Sequence, residues 1–120
     1  MDREDFKKRT KQYSLRIIKL VRVLLHTAEG KVIGNQLLQS GTSVGANYRV
    51  ACRARSMAEF ISKLGVVIEE ADESAFWLEL IIESRLIKKE LVEPLLKETN
   101  EIISIMAASL KSSKNSKSKI

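Results

Sequence analysis

Apolar residues recur at intervals of three, four and seven along almost the whole chain. From about Asp5 to Thr27, Phe6, Tyr13, Ile17, Leu20 and Leu24 follow at spacings of 7, 4, 3 and 4, with Ile18, Val21 and Leu25 widening the stripe. That period places them on one side of an α-helix, whereas a half-buried strand would alternate every second residue. One proline and five glycines leave few turn-forming residues for an all-β fold, and aromatics at 5% are too few for a sandwich core. At 120 residues the chain suits one domain with a modest core.

Three more helices follow by the same reasoning. The second, about Gly34 to Ala54, shows Leu37, Leu38, Gly41, Val44, Gly45, Tyr48 and Cys52 on one broad face. Gly41, Thr42, Ser43 and Gly45 are poor helix formers, so tertiary packing must hold it. Gly41 and Gly45, four apart, share a side on which a neighbouring helix can approach closely. Gly30 suits a C-cap of the first helix. Ser56 and Glu59 fit a capping box opening a third helix of about 28 residues, from Met57 to about Ser84, on Phe60, Leu64, Val67, Ala71, Leu78 and Ile82. A fourth runs to about Leu110 on Leu95, Ile102, Ile105 or Met106, and Leu110. Pro94 means either that this helix begins near Glu93 or that Lys89 to Glu93 is a separate kinked turn. Short connections make the fold an all-α, antiparallel up-down-up-down four-helix bundle over residues 1–110. The Lys/Ser/Asn segment 111–120 is too polar to offset its ordering entropy and reads as a disordered basic tail.

The net charge of +6 is unevenly spread. Residues 1–22 hold eight basic and three acidic groups, residues 69–83 hold six acidic and no basic ones, and the tail adds four lysines. One cysteine excludes a disulfide framework, and one histidine excludes the Glu-x-x-His pairs of di-iron bundles. His26 reads as a surface or capping residue and Cys52 as a small buried one. Asp72, Glu69 and Glu73 lack a histidine partner, nucleophile elbow or glycine-rich loop, so they read as a solvated or salt-bridged face. No catalytic residue, metal site or cofactor is expected. With a charged N-terminus and no apolar run long enough to span a bilayer, the chain is expected to be cytoplasmic, with no membrane partner.

The basic residues allow three readings: solubilising surface, a phosphate-binding stripe, or ion pairing with the acidic stretch of another subunit. Arg49 and Arg53 share a helix face, Arg55 stands at the next corner, and Lys8, Lys11 and Lys19 fall near one face of the first helix. Lys and Arg supply sequence-independent attraction for nucleic acid, while the near absence of aromatics among them argues against base stacking. On the third helix, the shoulder carrying Phe76 and Trp77 is either further core or, with Glu69 and Glu73, a subunit interface.

Residues 34–80, GNQLLQSGTSVGANYRVACRARSMAEFISKLGVVIEEADESAFWLEL, resemble the four-helix-bundle family encoded in intervening sequences of bacterial 23S ribosomal RNA genes. Gln36, Leu37, Ser40, Ser43, Val44, Asn47, Glu59, Phe60, Ile61, Glu70 and Leu78 carry the resemblance. Asn47 is followed by Tyr48 and Arg49, where many members have an acidic residue and a glycine. The family is itself similar to the accessory variability proteins of diversity-generating retroelements, which form homopentamers and associate with nucleic acid. The resemblance therefore implies a non-enzymatic bundle that assembles into a ring-shaped homo-oligomer of five, and the basic residues make RNA or DNA its expected partner. The alternative is a structural or protein-partner module with no nucleic-acid role.

Overall fold

The computed structural model describes residues 2–118, and among them the regular structure is four α-helices and one short 3-10 turn. Helix α1 spans Arg3–Leu24, α2 Ala28–Cys52, α3 Met57–Glu83 and α4 Glu93–Ser118. The first three begin at a side-chain cap that satisfies an otherwise orphaned amide. Asp2 accepts from the Asp5 amide at 2.8 Å while the Asp5 carboxylate answers the Asp2 amide at 3.5 Å. Thr27 accepts from the Gly30 amide at 3.0 Å, and Ser56 from the Glu59 amide at 3.1 Å.

Thr27 moves the first boundary. Helix α2 starts six residues before the expected Gly34, and Gly30 lies in its first turn rather than capping α1. None of the described glycines has a positive φ. Glycine is needed at position 30 because a Cβ there would collide with the Leu24 carbonyl at the end of α1. At the α3/α4 connection a Schellman turn closes α3, with the Arg85 amide reaching the Ile82 carbonyl at 3.1 Å and the Leu86 amide the Ile81 carbonyl at 3.2 Å. Arg85 fills its left-handed position, at φ 56°. Lys89–Leu91 forms the separate 3-10 turn, and Pro94 follows as the second residue of α4, where a missing amide hydrogen costs nothing.

Expected to be disordered from residue 111, the chain instead continues α4 to Ser118; Lys119 and Ile120 lie outside the described residues. Extending an existing helix forms one hydrogen bond per residue fixed and needs no new nucleus, so the extension forms without an apolar face of its own.

Tertiary contacts fix the directions of the helices. Gly45 of α2 faces Thr10, Gly41 faces Ile17 and Gly34 faces Val21, so α2 runs antiparallel to α1. On the other side of α1, Arg9 meets Glu98 and Glu101, and Tyr13 meets Thr99. The result is a rod 52 Å long and about 20 Å across, an up-down-up-down bundle. Its core follows the expected stripe, with Ile17, Leu37, Leu64, Leu78 and Ile102 fully buried, but α3 buries Ile81 rather than Ile82, and α4 uses Met106 rather than Ile105 and leaves Leu110 half-buried. Each such side chain contributes about 1.5–3 kcal/mol by leaving water.

A row of hydroxyls crosses this core, one from each helix: Thr99 of α4, Tyr13 of α1, Ser74 of α3 and Ser40 of α2, all at most 1% exposed. Thr99 donates its proton to the Leu95 carbonyl at 2.8 Å, so in the 2.6 Å contact with Thr99 the Tyr13 hydroxyl is the donor. Ser74 Oγ and Ser40 Oγ are hydrogen-bonded to each other at 2.8 Å, and each also has a carbonyl of its own helix within reach, that of Glu70 at 2.9 Å for Ser74 and that of Leu37 at 3.4 Å for Ser40. Burial pushes the Tyr13 phenol up to about 12, partly offset by the neighbouring Thr99 and Ser74 hydroxyls.

Candidate nucleic-acid interface

A groove forms where α1 and α2 come closest. A Cβ on Gly45 would lie 3.1 Å from the Thr10 carbonyl oxygen and 3.2 Å from Ser14 Oγ, so the two backbones nearly touch and side chains are pushed to either side. Ser14, Gly45 and Ala46 make a floor of small residues in a depression of about 330 Å³. Lys7, Lys8 and Lys11 rise from α1 on one wall, with Arg49 and Arg53 from α2 on the other. Glu4 is the one carboxylate among these lining residues, and it is engaged by Lys7 at 2.8 Å.

Lys7 and Lys11 are one helical turn apart, as are Arg49 and Arg53, so each wall repeats its charge about every 5.4 Å. Lys8, Lys11, Arg49 and Arg53 are exposed and make no ion pair among the described residues. Four hydrated cations with so few counter-charges repel one another, and a line of phosphates relieves that repulsion.

The fold thus gathers Lys8, Lys11, Arg49 and Arg53 but leaves two expected members outside. Lys19 lies eleven residues beyond Lys8, about 16 Å along the axis, beside Leu20, Val23 and Leu91. Arg55 turns the corner into α3, next to Arg3, Ser56 and Phe60. Arg3 is itself stacked over the Phe60 ring, 4.3 Å from its centroid. Lys7 was missed in the sequence, although its i, i+4 relation to Lys11 places it on the same wall. The aromatic nearest the arginines, Tyr48, is 4% exposed and packs edge-on against Phe6, so it offers no stacking surface. Its phenol is raised by burial and by neighbouring Cys52.

The opposite face is acidic. Glu69 and Glu73 are exposed on α3, and the half-buried Glu70 between them is raised by burial and by repulsion from both. Phe76 is 50% exposed and meets Trp77 edge-on at 5.1 Å, while the Trp77 indole donates to Glu73 at 3.4 Å. Phe76 is therefore surface, while Trp77 is half-buried against the edge of the core. Among the described residues no group of three His, Cys, Asp or Glu is placed to hold a metal ion, and no helix is long and apolar enough to cross a membrane.

Fold and surface together define an antiparallel four-helix bundle polarised between a basic and an acidic face. More narrowly, the chain belongs to the 23S rRNA-intervening sequence protein family, whose model matches residues 4–108. It is also similar to a crystal structure from Bacteroides thetaiotaomicron, described as a protein with unknown function from the S23 ribosomal protein family. The two are 35% identical over 92% of this chain and 99% of that one, with a TM-score of 0.86. No curated protein matches the sequence.

Proposed function

We propose that this protein is a non-enzymatic, self-assembling helical module that holds nucleic acid, RNA or DNA, in the α1/α2 groove by its phosphates. The observation that carries the reading is the convergence of Lys8, Lys11, Arg49 and Arg53 from two helices onto one small-residue floor, unneutralised among the described residues. The groove lines up cations on a floor of small residues with no aromatic among its lining residues to stack on bases, so binding is electrostatic and weakly selective. Self-assembly is supported by the opposed charge of α1 and α3, which lets unlike faces of neighbouring copies meet in a closed ring. Repetition of the groove around a ring turns a weak patch into a multivalent one.

The test is a titration of the assembled protein with single-stranded RNA and duplex DNA at 50 and 200 mM salt. Each neutralised phosphate adds about 0.9 to the slope of log K against log salt on duplex and about 0.7 on single strands. Arg49→Ala with Arg53→Ala should flatten that slope and weaken binding alike for all sequences. Assembled protein that binds neither polymer at low salt makes the chain a structural or protein-partner module.

A further inference from the structure

A second depression, of about 280 Å³, lies on the α1/α4 flank and has a different character. Leu20 and Leu95 form its buried floor, Val23 and Leu91 its walls, and Arg16 and Lys19 stand on its rim. Val23 is 48% and Leu91 59% exposed, and neither rim cation has an ion pair among the described residues. An apolar notch rimmed by cations fits an apolar side chain flanked by carboxylates. The chain's own C-terminal segment does not qualify: it is basic, and it leaves the bundle at the other end, where Ser109, Ser112 and Ser113 lie beside Arg3 and Phe6.

One exposed feature of the molecule has the required chemistry. Phe76 projects half-exposed from α3, and three of its four neighbours one turn away are carboxylates: Asp72, Glu73 and Glu79, the fourth being Leu80. It is also at the right height. Ser74 pairs with Ser40, and Gly41 abuts Ile17, so Phe76 lies level with residues 19 and 20 of α1, where the notch is. On the described fold the two features belong to different flanks, because α1 and α3 are diagonal across the bundle.

We infer that Phe76 of one subunit seats in the Val23–Leu91 notch of the next, with Asp72 and Glu79 meeting Arg16 and Lys19, and that this contact joins copies of the chain. Knob and notch at equal height impose little axial shift between neighbours, and a head-to-tail contact without axial shift closes into a ring instead of climbing into a filament. A buried aromatic anchor ringed by polar contacts is the usual anatomy of an interface hot spot.

The inference rests on the self-assembly part of the proposed function, so the wild-type chain is measured first, by light scattering across micromolar concentrations. A monomer of 13.6 kDa throughout ends both readings. If the wild type assembles, Phe76→Ala should weaken association at least tenfold, and Leu91→Asp, on an exposed turn, should do the same. Arg16→Glu with Lys19→Glu should dissociate the assembly, and adding Asp72→Lys and Glu79→Lys to that chain should restore it. Circular dichroism checks that each variant is folded. Folded Phe76→Ala and Leu91→Asp proteins that assemble like the wild type overturn the notch contact while leaving self-assembly standing, as does failure of the charge swap to restore a dissociated chain.

Discussion

Helix α1 meets its two neighbours in opposite ways. Towards α2 the contact is made by absence: Gly41 and Gly45 present no side chain, and the helices close until Ile17 and the Thr10 carbonyl fill the space. Towards α4 it is made by reach, since Arg9 forks onto Glu98 at 2.8 and 2.6 Å and touches Glu101 at 2.8 Å, while Tyr13 bridges to Thr99. A seam closed by glycines is intolerant of added volume. A seam spanned by long polar side chains tolerates volume and responds to charge.

That difference is broken most directly by Gly41→Leu. A Cβ at position 41 already falls 2.7 Å from the fully buried Ile17 side chain, so the larger residue overpacks the seam and should cost about 3 kcal/mol in a denaturant melt. An unchanged midpoint would show that the seam is not close-packed. On the other flank, Arg9→Ala should cost about 1.5–2 kcal/mol, the usual worth of a partly buried charge-assisted bidentate pair.

The same pair sets a pH dependence. The hydrogen bonds from Arg9 hold the Glu98 carboxyl below its ordinary value of 4.5. A group depressed in the folded state stabilises fully above its unfolded pKa and loses that contribution as pH falls through the folded one. Stability should thus decline below about pH 4.5, and Glu98→Gln should remove part of the decline, as read from melts between pH 6 and 3. Tyr13→Phe, which takes one donor from the hydroxyl row, should cost about 1 kcal/mol, since Thr99 keeps its bond to the Leu95 carbonyl.

The smallest effect has the opposite sign. Gly65 sits mid-helix in α3, and a Cβ there meets nothing within 4 Å. Gly65→Ala should therefore stabilise the monomeric fold by about 0.5–1 kcal/mol through helix propensity alone. A destabilised variant would mean that position 65, like 41, is a place of close approach, with the approaching surface supplied by another copy.

Four helices and the core stripe were legible because burial imposes the 3.6-residue period directly on residues such as Phe6, Ile17, Leu64 and Ile102. The start of α2 was not, because the cap that sets it is a threonine without an acidic or amide residue three positions on, and Gly30 carries the same letter whether it ends a helix or makes room for a carbonyl. The groove was half visible. Helical spacing grouped Arg49 with Arg53, but whether Lys8 and Lys11 or Lys19 stand opposite depends on the height at which α2 crosses α1, which Gly45 fixes only in three dimensions. The notch beside Leu91 was invisible for the same reason, being shared by two elements seventy residues apart in the chain.

The hydroxyl row has a consequence for folding errors. In a bundle whose interior is uniformly aliphatic, one helix can slide a turn along its neighbours and find leucine wherever it lost leucine, so several packings compete at similar free energy. Here such a slide separates Ser74 from Ser40 and Tyr13 from Thr99; the serines and the threonine keep carbonyls of their own helices within reach, but the Tyr13 hydroxyl is stranded at about 1–3 kcal/mol. The buried Tyr13 hydroxyl, helped by the serine pair, thus discriminates the native arrangement from its shifted isomers. The chain can then exchange aliphatic residues freely along its stripe without losing track of which turn faces which.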